Sequence, residues 1–67
     1  MKTQLKKSQL EAAKILGVND FNKGIKSVPV LSVNCMSLVE VNQHIKGATA
    51  AIMKAWSKGW HLANLSA

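Results

Sequence analysis

Apolar residues recur along this chain at the spacing of helices. Leu5, Ala12, Ala13, Ile15 and Leu16 fall on one side of a helix at about 100° per residue, with Lys7, Glu11 and Lys14 opposite. Ser8-Gln9-Leu10-Glu11 places a hydroxyl three residues before a carboxylate, the arrangement in which each side chain satisfies a free amide of the first turn. The pattern predicts a first helix over 9–16, stopping at Gly17, since glycine tolerates the left-handed conformation that ends helices. A short second helix is expected from a cap at Asn19 or Asp20, with Phe21, Ile25 and Val28 at i, i+4, i+7 and Pro29 closing it. A third is expected over 38–46, from the capping box Ser37-Leu38-Val39-Glu40 and the series Leu38, Val41, Ile45, with Gly47 as its stop. The last helix is the clearest, over 48–64. Ala48, Thr49, Ile52, Ala55, Trp56, Gly59, Trp60, Leu62 and Ala63 share one wide face, and Lys54, Ser57, Lys58, His61 and Asn64 the other.

These elements make an all-α protein, a compact bundle of three or four short helices forming one domain over 1–67 with a basic N-terminal arm. The valine-rich run 28–41 keeps one alternative open, an α+β fold with a small hairpin there. A chain of 67 residues buries only about 60% of its open-chain surface, so an added partner is expected, and a homodimer is the simplest. With 4 glycines, 1 proline and no repeated tract, the composition argues for a folded chain over a disordered one. No apolar run approaches the roughly 20 residues that span a bilayer, and the N-terminus lacks the apolar core of a secretory signal. The expected location is the cytoplasm.

The net charge is +6, and all nine cations are lysine. Lysine is a compact point charge suited to phosphate oxygens, whereas arginine supplies the planar fork that reads guanine edges. Any nucleic-acid affinity should therefore be directed at the backbone and sensitive to salt. Six lysines against Glu11 and Asp20 lie in 1–26, and three against Glu40 in the remainder, so the positive field is strongest at the front.

The stretch 8–28 resembles the helix-turn-helix DNA-binding motif. Ala13, Gly17 and Val18 stand where that motif has its small crossing residue, its turn glycine and the following apolar residue, and Gln9, Ala12 and Leu16 are also of the expected types. Ile25 and Val28 keep the spacing of the pair that pins the recognition helix but arrive two positions late, lengthening the turn by two residues. The resemblance implies a regulator that binds nucleic acid through Lys6, Lys7, Lys14, Asn22, Lys23 and Lys26, with Lys2 adding a flanking phosphate contact.

A competing reading uses the other end of the chain. A face of Ile52, Met53, Trp56 and Trp60 opposite lysines is also how a helix docks into a partner's groove or lies on a membrane surface, as in a phage- or plasmid-type inhibitor. Leaderless bacteriocins look similar in that respect, although Glu11, Asp20, Glu40 and a near-neutral middle depart from their uniformly cationic pattern. Cys35 has no second thiol to pair with and reads as a small buried hydrophobe. Glu40 and His44, four residues apart, supply two metal ligands where zinc needs three or four. No nucleotide-binding glycine loop or nucleophile–base pair is present. Neither an enzyme nor a cofactor is expected.

Overall fold

The computed structural model describes residues 6–66. Among these the chain forms three helices and no strand: α1 (Lys7–Asn22), α2 (Val33–Asn42) and α3 (Ala48–Ser66), with a single 3-10 turn at Pro29–Leu31 before α2. The all-α bundle expected from the periodicity is therefore the fold, and the hairpin alternative is not. Leu5 and Lys2 lie outside the described residues.

The boundaries differ from expectation for identifiable reasons. Helix α1 runs straight through Gly17 and ends five residues later in a Schellman motif. The Gly24 amide donates to the Phe21 carbonyl (3.0 Å), the Ile25 amide donates to that of Asp20 (2.9 Å), and Gly24 takes the left-handed conformation at φ 84°. The expected second helix dissolves accordingly, its first residues forming the last turn of α1 and the rest the loop before Pro29. At its start α1 has Lys6 as N-cap with no side-chain cap, so the Ser8–Glu11 box is not used. Helix α2 begins five residues earlier than expected, because Ser32, not Ser37, is the cap: its hydroxyl accepts the Cys35 amide at 3.1 Å. It also ends earlier, at Asn42, and Gly47 (φ 79°) belongs to the turn that opens α3.

The order is up, down, up. Gln9 in the first turn of α1 accepts from Asn42 at the end of α2 (3.4 Å), and Asp20 near the end of α1 meets Ser32 at the start of α2, so these two helices are antiparallel. Helix α3 then returns parallel to α1. Lys7, Leu10, Glu11 and Lys14 share a cleft with Ala55 and Lys58, and Val18, Phe21 and Asn22 share another with Leu62, Ala63 and Ser66.

Gly17 and Gly59 let α1 and α3 touch through their backbones. A Cβ at Gly17 would stand 2.0 Å from the Trp56 carbonyl oxygen, and one at Gly59 would stand 1.9 Å from that of Lys14. Gly59 thus marks the crossing point on the last helix, and Gly17 marks the matching point on the first. Against this pair α2 closes a small core of Ala13, Cys35, Val39, Ala48, Ile52 and Trp56, with Leu16, Ile25, Met36, Leu38, Ile45, Met53 and Trp60 packed around it.

Candidate functional site

Two constellations stand out, a buried polar hub that holds the helices together and a lysine-lined face on the side of α1 and α3 away from α2.

The hub is Asp20. It falls at the helical spacing that continues Ala13 and Gly17, which turns its carboxylate into the core, where it is almost wholly buried. One carboxylate oxygen, Oδ2, accepts from the Trp56 indole N–H of α3 (2.8 Å) and from the Ser32 hydroxyl at the head of α2. Ser32 in turn accepts the Cys35 amide, so a single side chain ties all three helices. A buried polar group persists in a core only when so paired. Cys35 is buried beside it. Burial, and then the negative charge of Asp20, push its thiol above the ordinary value, so it is held protonated. That is the opposite of what a nucleophilic cysteine needs.

The face expected to meet a partner or membrane is largely used by the protein itself. Ile52 and Trp56 are completely buried, and Met53 and Trp60 are half-buried. The Trp60 indole N–H donates to the Ile25 carbonyl (2.7 Å), and its ring meets Phe21 edge-on at 5.1 Å and the His61 imidazole at 5.2 Å. The front of the apolar stripe therefore packs inward, and Trp60 pins the loop that follows α1.

The nucleic-acid residues expected from the sequence divide into two groups. Lys7 and Lys14 lie on the flank of α1 turned roughly 120–160° from Gln9 and Asp20, which face α2. They line a shallow cleft of about 230 Å³ together with Leu10, Glu11, Ala55 and Lys58. Lys6, exposed at the N-cap of α1, adjoins that end. Lys23, exposed at the far end of α1, lies about 24 Å from Lys7 at 1.5 Å per residue, and Lys26 is exposed in the loop that follows. Asn22 lines the apolar cleft of about 390 Å³ at that same far end, with Val18, Phe21, Leu62, Ala63 and Ser66. The six residues do not form one patch.

What the structure adds is Lys58, brought from 44 residues away in sequence to stand with Lys14, and Lys54, exposed one helical turn before it. On the helical wheel these two sit on the polar side of α3, with nothing to link them to the front of the chain. The signal that could have linked them is the glycine pair: if Gly17 and Gly59 are crossing points, then Lys14 and Lys58 must be neighbours.

Among the described residues no group of three or more His, Cys, Asp and Glu side chains could hold a metal ion, and no helix is long and apolar enough to cross a membrane. Compared with protein families, with curated proteins and with solved structures, the chain matches none. Nothing among the described residues identifies a helix-turn-helix, since the glycine at the expected turn lies within α1.

Proposed function

We propose that this protein is a small cytoplasmic regulator without catalytic activity that binds nucleic acid by its phosphates, through Lys7, Lys14 and Lys58 with Lys54 and Lys6 at the margins. The observation that carries the reading is the shared cleft, in which cations from two helices distant in sequence converge while only Glu11 opposes them. A fold that merely solvated its lysines would gain nothing by gathering them.

The chemistry follows from the side chains. Each ammonium offers a mobile point charge to a phosphate oxygen and releases a condensed counterion on binding. If Lys7, Lys14, Lys54 and Lys58 each neutralise one phosphate of duplex DNA, log K falls with log salt at a slope of roughly −3 to −4. With no arginine in the chain, base readout is weak and affinity varies little with sequence. Lys23 and Lys26, which the helix-turn-helix resemblance includes among the contacts, are secondary here. Fluorescence anisotropy of a labelled duplex, titrated with the protein at increasing salt, tests the proposal: the expected result is binding at low salt that weakens log-linearly. Absence of binding at low salt, or affinity indifferent to salt, removes it.

A further inference from the structure

Helix α2 carries apolar side chains on both sides, with the polar Asn34, Ser37 and Glu40 between the outward ones. Inward it sends Cys35 and Val39 into the core, and outward it leaves Val33 78% and Val41 71% exposed, with the small, exposed Ser37 midway between them at i+4 from each. The segment leading into it adds Val30 at 64%, Leu31 at 58% and Val28 at 45%. A helix lying on a protein surface has one apolar stripe, so large apolar side chains on a second side call for a cover. Single exposed valines are ordinary, but five large apolar side chains exposed within the short stretch 28–41 are the kind of concentration that marks an interaction surface.

Charge indicates what covers it. No lysine occurs in 27–45, and the sole carboxylate there is Glu40, whereas the rest of the chain carries all nine lysines. A second molecule with the same net charge of +6 is repelled by the lysine-bearing surface, and residues 27–45 offer it a near-neutral, apolar stretch. The arrangement is also self-complementary, as a two-fold contact requires, since residues placed symmetrically about a centre pair with each other's copies.

We infer that the outer side of α2 is a homodimer interface, the two α2 helices packing antiparallel about an axis through Ser37, with Val33 of one protomer against Val41 of its partner. Val28, Val30 and Leu31 extend the contact. The five residues expose on the order of 500 Å² per protomer, about three-fifths of the roughly 800 Å² per partner of a standard stable interface, and flanking Pro29, Asn34 and Glu40 add to it. The lysine cleft contains no residue of α2, so dimerisation leaves both clefts open and facing away from the axis.

Sedimentation of the full chain decides it. The expected species has twice the 7.2 kDa mass of the chain, and the double variant Val33→Lys/Val41→Lys dissociates at least tenfold more readily with its helical circular dichroism unchanged. A second variant works even if that one folds poorly: Ser37→Cys in a Cys35→Ala background should oxidise to a disulfide-linked dimer, because a residue on the axis faces its own copy. A monomer at every concentration overturns the inference. So does a dimer indifferent to the lysine substitutions in a folded variant, or a failure of Ser37→Cys to cross-link.

Discussion

Replacing Gly17 by alanine sets two physical effects against each other. Alanine is the better helix former by about 1 kcal/mol, so on propensity alone the change stabilises the middle of α1. The structure requires the reverse sign. The added Cβ would lie 2.0 Å from the Trp56 carbonyl oxygen and 2.8 Å from the Trp60 amide nitrogen, both backbone atoms that no rotamer change can remove. Ordinary contact needs about 3.5 Å, so α1 and α3 must part by more than an ångström. Parting them loosens Ala13, Ile52 and Trp56, which are completely buried. Overpacking of this kind costs about 1–3 kcal/mol, and more where backbone must shift, which leaves a net destabilisation of about 2 kcal/mol after the helix gain. A domain of this size has a total stability of about 3–10 kcal/mol, and each kcal/mol moves its midpoint by about 4–8 °C. Thermal unfolding followed by far-ultraviolet circular dichroism should therefore show Gly17→Ala melting roughly 10–15 °C below the parent, with Gly59→Ala similar because its Cβ would meet the Lys14 carbonyl oxygen at 1.9 Å. A raised melting temperature for either variant refutes the backbone contact between α1 and α3.

Removing the carboxylate in Asp20→Ala leaves the buried Trp56 N–H and Ser32 hydroxyl without their acceptor, at about 3 kcal/mol, while Asp20→Asn keeps one acceptor and costs less; urea unfolding of the two variants ranks them. The Cys35 thiol should resist a thiol-specific reagent in the native state and react only after denaturant is added, because it is buried and its ionisation is suppressed. Since folding raises its pKa above the ordinary 9.0, folded and unfolded chains bind the same proton below that value, and the unfolded chain releases it first above. Stability should thus fall as pH rises past 9 by a component that Cys35→Ala abolishes, which parallel melts of the two proteins will show. Glu11→Gln removes the one carboxylate lining the lysine cleft and should tighten duplex binding a few-fold at low salt, an effect that added salt erases.

Much of the fold is legible in the sequence where one signal dominates. Helix α3 is expected over 48–64 and observed over Ala48–Ser66, because a long run of residues in phase at one period leaves little competition. The burial of Trp56 follows from the same wheel. Glycine and serine mislead because each carries two meanings. Gly17 can end a helix or permit another to touch it, and only a partner about forty residues away decides, whereas the stop is supplied by Gly24. Ser32 and Ser37 are equally good caps, and Asp20 selects Ser32 by bonding its hydroxyl. Asp20 itself reads as a cap because an isolated carboxylate between apolar positions is more often exposed. Of the candidate site, Lys7 and Lys14 belong to the basic front that the charge count picks out, without distinction from Lys23 and Lys26, whereas Lys58 depends on the parallel α1–α3 crossing, which periodicity does not encode.

Whether phosphates meet the protein at the lysine cleft is decided by the salt dependence of duplex binding in two matched variants. Lys7→Ala/Lys14→Ala/Lys58→Ala should reduce the magnitude of the slope by roughly 2–3, about 0.9 for each phosphate no longer neutralised, whereas Lys23→Ala/Lys26→Ala, beyond the other end of α1, should leave it nearly unchanged. Equal reductions per lysine in the two variants would mean that charge acts without regard to position, and the cleft would not be the contact face.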